Sequence, residues 1–207
     1  GENDKKKYDK FLHSKFIPLG SLRNNNFTIK KNYNRKVNKI LFISGSTFEE
    51  NGKIKNFRQK KIFKYLKNYC SNKNIQLYLL SKKTKKFLPI YKRYYGSGNW
   101  HYLPKKETKK TYQLINDSQF VVFEDSTLGF EALSKKIKGV CFPDFAKSYS
   151  KVFKKKEGFF WSTKLEKNTI FSKINRVINL NQNKWNELIS KELKDIIVYS
   201  PNNNNFS

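Results

Sequence analysis

The chain has 207 residues, 37% of them hydrophobic and 16% aromatic, so it holds enough apolar surface for one α/β domain with extensions and is not composed like a generally disordered chain. Lys and Arg number 44 against 16 Asp and Glu, a net charge of +28. That excess points to an anionic partner or, alternatively, to drift toward A/T-rich codons, which favour Lys, Asn, Ile, Phe and Tyr together. No apolar run approaches the ~20 residues of a membrane helix, and no signal-peptide pattern stands at this start. Methionine is absent and the chain opens at Gly1, so native sequence upstream is expected.

Gly1 to Asn38 reads as an irregular extension or linker, with a short helix over 5–13, a short strand over 16–19 and a basic, Asn-rich connection over 23–36. Lys39 to Ser44 (KILFIS) is the first buried strand, ended by Gly45. The small polar loop Gly45 to Gly52 follows. Ile62, Tyr65, Leu66 and Tyr69 recur at helical spacing and predict an amphipathic helix over 56–71. Ile75 to Leu80 is the second strand. Ser81 to Gly98, basic and then aromatic around Pro89, shows no clear element. Asn99 to Leu103 is the third strand and Glu107 to Asn116 the next helix.

The most informative stretch is Asp117 to Ser134, DSQFVVFEDSTLGFEALS. Phe120 to Phe123 is a continuous apolar run, as in a strand covered on both faces of a parallel sheet. A polar turn over 124–127 leads into a new helix. Asp125 is a good N-cap type, and Ser126 and Thr127 fall at the first helical turn. Such a turn stands at the carboxyl end of its strand, where α/β sheets bind ligands, and its free N–H groups and helix dipole suit a phosphate. Thr127 and Glu131, four apart, share one helix face. Ser126 and Thr127 read equally as plain helix-capping residues, and Glu131 as a solvated helix residue.

Gly139 to Phe142 is a fifth strand, and Gly158 to Ser162 (GFFWS) reads as one more. Helices follow around Ile170 to Ile178 and Trp185 to Leu193, before an Asn-rich tail over 201–207. The alternation predicts an α/β fold, a Rossmann-like parallel sheet with helices on both faces, over 39–200. Cys70 and Cys141 fall in a helix and a strand and read as buried free thiols of a reducing compartment, with a single disulfide left open. His13 and His101 lack companions at metal-ligand spacing, so no metal is expected.

These elements, and above all NDSQFVVFEDSTLGFEALSKKIKGVCFP over 116–143, resemble the C-terminal, donor-binding half of GT-B glycosyltransferases of bacterial surface-polysaccharide biosynthesis. IPLGSLRNN over 17–25 resembles the segment that closes the preceding half. The resemblance implies that Ser126 and Thr127, beside Asp125, contact the diphosphate of a nucleotide-sugar. Glu131 would accept from ribose or sugar hydroxyls. Gly45, Ser46 and Thr47 would approach the phosphates from the first strand, and Tyr102 would border the base. Thr127–Leu128 stands where two glycines are common in related proteins, which narrows the backbone approach. Arg58 and the basic loop 147–156 are candidate cations for the departing diphosphate. No Asp or Glu stands out as a catalytic base.

The nucleotide-sugar enters as substrate, with no cofactor. The implied activity is sugar transfer to a surface polysaccharide or lipid-linked glycan acceptor. The implied place is the cytoplasm, with peripheral contact to anionic membrane at its inner face. Two rivals stand beside it. One is a basic nucleic-acid-binding module, which lacks any RNP, zinc-finger, KH or helix-turn-helix signature here. The other is a sugar-nucleotide epimerase of the same sheet architecture.

Overall fold

The structure, a computed structural model, describes residues 21–27, 36–45, 57–104, 107–146, 153–197 and 199–201. The expected helix over 5–13 and strand over 16–19 lie outside them, as do Ser46 and Thr47.

Five short apolar runs form the strands: β1 Lys39–Ile43, β2 Gln76–Leu80, β3 Trp100–Leu103, β4 Phe120–Phe123 and β5 Lys138–Cys141. All neighbours pair in parallel, in the order β3-β2-β1-β4-β5. β1 and β4 lie at the centre. Ile40, Phe42, Phe120, Val121, Val122 and Phe123 are all fully buried, because both sheet faces are covered. At roughly 2 kcal/mol for each fully buried large apolar side chain, this pair of strands is the centre of the core.

The helices are α1 Leu22–Asn25, α2 Phe57–Lys73, α3 Leu88–Tyr95, α4 Thr108–Asn116, α5 Thr127–Ser134, α6 Lys167–Asn179 and α7 Gln182–Leu193. The chain steps outward from β1 to β2 and β3, then returns across the sheet to β4 and β5. Right-handed crossovers therefore put α2 and α3 on one face and α4 and α5 on the other. α6 packs beside α2 and α7 beside α5, which completes a front layer of α6, α2 and α3 and a back layer of α7, α5 and α4.

Two elements differ from the reading of the sequence. The stretch around Pro89 is helical: Pro89 sits in the first turn of α3, where its missing N–H leaves no bond unmade, and Gly96 at φ 78° ends the helix. The expected strand over 158–162 is not one. Trp161 meets Cys141 in a single parallel bridge, and Glu157 meets Ser162 in a single antiparallel one. The chain instead turns tightly, with the Trp161 indole folded over Gly158 so that a Cβ there would stand 2.1 Å from the ring. Trp161 Nε1 donates to Lys155 O at 3.0 Å and fixes that turn.

Residues 21–27, read as part of a linker, pack onto the back layer. Ser21 caps α1 by accepting from Asn24 N at 3.2 Å. Asn24 Nδ2 donates to Ser134 Oγ at 3.2 Å, and the Phe27 ring stacks on Tyr112 at 4.5 Å. Ser200 N donates to Asn25 Oδ1 at 3.1 Å, so the two ends of the described chain meet there.

Candidate functional site

Strand order reverses between β1 and β4, and Gly45 beyond the end of β1 faces the turn after β4. In open α/β sheets this is where ligands bind. Gly45 closes β1 and lies against the turn after β4: a Cβ at Gly45 would stand 2.9 Å from Gln59 Nε2 and 3.7 Å from Asp125 O. A side chain there would have to displace the Gln59 amide, while the turn after β4 would lie at ordinary contact distance. Gly129 performs the matching task one turn into α5. Its Cβ would fall 2.3 Å from the Phe123 ring, so only glycine lets α5 sit this close to β4. That close seating sets the height of the helix start above the sheet.

Beneath the opening lies a buried polar network. Glu124, the first residue after β4, is 1% exposed. Arg58 Nε donates to its Oε1 at 3.2 Å and Gln59 Nε2 to its Oε2 at 3.1 Å. Gln59 Oε1 in turn accepts from Ser44 Oγ at 3.0 Å and from Tyr95 Oη at 3.3 Å. Arg58 Nη2 donates to Pro143 O at 2.9 Å, Thr163 O at 3.3 Å and Phe142 O at 3.4 Å. One guanidinium thus joins the loops after β4 and β5. Burial pushes the Tyr95 hydroxyl above its usual range and holds Tyr91 up at about 12, so both stay neutral donors. The buried Cys141 thiol is likewise pushed up and donates to Glu124 O at 3.0 Å.

The structure separates the expected site residues. Gly45, Asp125, Ser126 and Thr127 come together at the β1–β4 opening. Ser126 occupies the N-cap of α5, with extended backbone at φ −138° and ψ 120°, yet its hydroxyl makes no cap bond. Its carbonyl accepts from Gly129 N at 2.9 Å and Phe130 N at 3.1 Å, which starts the helix. Thr127 is exposed.

Tyr102 stands apart on the edge strand β3, about 10 Å from β1 by strand spacing. Its hydroxyl lies 3.1 Å from both Lys83 O and Thr84 O, which share its one proton. Arg58, expected as a free cation, is committed to Glu124 and the three carbonyls.

Glu131 requires a correction. It is 6% exposed and turned into the back layer, away from the opening. Its Oε1 accepts from Ser21 Oγ at 2.8 Å and its Oε2 from Tyr112 Oη at 2.6 Å. A carboxylate already serving two internal donors in a dry setting is a poor acceptor for an incoming hydroxyl. Lys135, one turn on, lies over the rings of Tyr112 at 4.9 Å, Tyr199 at 5.4 Å and Phe27 at 5.9 Å. Its Nζ donates to Phe27 O at 2.5 Å. Burial lowers its pKa from 10.5 to about 8, against the opposing pull of Glu131.

Sequence reasoning passed over Glu124 and Gln59. The available signal for Glu124 was a carboxylate immediately after a strand with no exposed face, a position that demands a partner. Among the described residues, no group of three or more His, Cys, Asp or Glu stands together to hold a metal. A concavity lined by Lys36, Asn38, Lys39, Asp117 and Gln119 opens at the opposite, amino-terminal edge of the sheet. No helix among the described residues is long and apolar enough to cross a membrane.

Comparison with known proteins agrees with this architecture. A trehalose 6-phosphate synthase from Burkholderia multivorans superposes with a TM-score of 0.50 at 11% identity, over 76% of this chain and 38% of that one. A "putative UDP-N-acetylglucosamine 2-epimerase" from Listeria monocytogenes superposes with a TM-score of 0.50 at 8% identity, over 86% of this chain and 43% of that one. The chain thus spans about two fifths of the length of these structures, and at such identities the likeness shows the fold: a Rossmann-like domain of the GT-B C-terminal type. No curated protein matches the sequence. The family described as "putative O-antigen biosynthesis protein" matches residues 1–207, the full length of the chain, and the protein belongs to that family.

Proposed function

We propose that this domain binds the nucleotide-sugar donor of a glycosyltransferase in O-antigen assembly. The donor diphosphate would rest on the start of α5, between Gly45 and the Asp125–Ser126–Thr127 turn. The observation that carries this reading is Ser126: 7% exposed, it holds the N-cap position without using its hydroxyl as a cap, beside the exposed Thr127. Both hydroxyls and the positive end of α5 then serve an incoming phosphate. Glu124, Gln59 and Arg58 hold the floor rigid and do not touch the ligand. The base that activates an acceptor hydroxyl is assigned to a part of the enzyme outside this domain. The acceptor is a growing surface glycan or its lipid-linked precursor, and the reaction is placed in the cytoplasm.

Calorimetric titration with UDP, GDP and ADP tests the reading. Saturable binding of at least one nucleotide is expected, together with little sugar transfer by this chain alone. Ser126→Ala combined with Thr127→Ala should weaken binding by about tenfold or more, since a hydrogen bond to a charged group contributes roughly 1.5–3 kcal/mol. Absence of saturable binding in the millimolar range, or an unchanged double variant, overturns it. Efficient transfer by this chain with no added partner would refute the assignment of the base.

A further inference from the structure

The positive charge is not spread evenly over the fold. In the front layer, α2 holds six Lys/Arg, α3 two and α6 three, and none of the three helices contains Asp or Glu. The back layer is mixed: α4 and α7 hold two basic residues each, while α5 has one acid and α7 two. Codon drift acts on composition and does not sort charges by sheet face. The sorting is visible only once the crossovers place α2, α3 and α6 side by side.

Part of the front-layer charge is used internally. Arg58 serves Glu124. Lys67 donates to Tyr95 O and Ser97 O, and Lys173 to Gly158 O, with Glu157 Oε1 at 3.0 Å. The remainder faces water: Lys60, Lys61 and Lys64 on α2, Lys92 and Arg93 on α3, and Lys167 on α6 are among the exposed residues. Lys60 Nζ also lies over the Tyr94 ring of α3 at 5.2 Å, which ties the two helices into one surface. Among the described residues, Glu157 and Glu166 are exposed acids in the loop that leads into α6. The helix lengths and packing distances give a face of about 25 Å by 30 Å.

We propose that this front face docks on an anionic lipid bilayer. A bilayer of negative headgroups complements a broad layer whose three helices carry no acid, and attracts each Lys or Arg near its surface. Phe57, the first residue of α2, is 81% exposed and is the one large hydrophobic side chain in that state among the described residues. It supplies an apolar insert at the end of the helix nearest the β1–β4 opening. Single-stranded nucleic acid calls for several exposed aromatic rings on which bases stack, and this layer does not present them. Docking through α2, α3 and α6 leaves the back layer facing water. This inference does not depend on nucleotide binding.

Co-sedimentation with phosphatidylcholine vesicles, with and without phosphatidylglycerol, is the test. The protein should pellet with the anionic vesicles only and be released by salt. Changing Lys61, Lys64 and Lys92 together to Gln should lower partitioning by about a hundredfold, near fivefold for each charge. Changing the back-layer Lys184 and Lys191 to Gln should alter it much less. Phe57→Ala should reduce the binding that survives high salt. All the substituted side chains are exposed, so unchanged thermal melts separate docking from folding. Equal losses from both sets of Lys changes overturn the proposal, as does tight binding to an RNA oligonucleotide with none to anionic vesicles.

Discussion

Two buried carboxylates, Glu124 and Glu131, lie seven residues apart and serve different regions. Glu124 sits at the crest of the sheet, where Arg58 and Gln59 from α2 hold it and tie it to Ser44 at the end of β1 and to the turn after β5. Glu131 sits in the back layer, where Ser21 and Tyr112 hold it and the segment 21–27 is clasped to α5. One anchor is an ion pair with a cation that also spans loops, and the other is a pair of neutral hydroxyls. A carboxylate's role thus follows from what surrounds it. Glu124 shapes the floor of the opening, and Glu131 fastens a distant segment behind it.

Substitution should separate the two regions. Arg58→Ala removes the charge partner of a carboxylate that is 1% exposed and should cost about 3 kcal/mol. A thermal melt would then fall by roughly 6–12 °C. The same change should weaken nucleotide binding, because the loops after β4 and β5 lose their common tie. Tyr112→Phe strips Glu131 of one donor and should cost about 1–2 kcal/mol in the same melt while leaving nucleotide affinity within about twofold. If Tyr112→Phe weakened nucleotide binding as much as Arg58→Ala, the division between crest and clasp would fail.

A third effect concerns pH. The folded Lys135 gives up its proton near pH 8, whereas the unfolded chain keeps it to about 10.5. Between those values the unfolded state binds more protons, so stability contributed at this site rises with pH. Stability of the native protein minus that of Lys135→Met should therefore climb from pH 8 to pH 10. A flat difference would show that Lys135 keeps an ordinary affinity for its proton.

Much of the fold was legible because continuous apolar runs suffice to mark strands buried on both faces. Phe120–Phe123 agrees residue for residue, and the other four strands agree within a residue or two. α3 was hidden because Pro89 reads as a breaker until its place in the first turn is known. The false strand over 158–162 arose because GFFWS has the composition of a strand while Trp161 and Gly158 close a tight turn. Of the candidate site, the turn between β4 and α5 was legible, but the cap falls on Ser126 and not on Asp125, and it makes no side-chain bond. The binding of Glu131 to Ser21 was not, since it joins positions 110 residues apart that no local pattern connects. A separation of 85 residues likewise hid the tie between Arg58 and Pro143.

The reversal of strand order has a consequence for how the domain could be taken apart. Everything up to Pro104 from β1 onward builds one side of the β1–β4 seam, and everything from Glu107 onward builds the other. A backbone cut between them would sever no hydrogen-bonded ladder, since β3 and α4 belong to different sides. Two separately expressed pieces would carry matching edges, and their reunion would report on the seam together with the Arg58 ties to Glu124 and Pro143 and the clasp of residues 21–27 on α5.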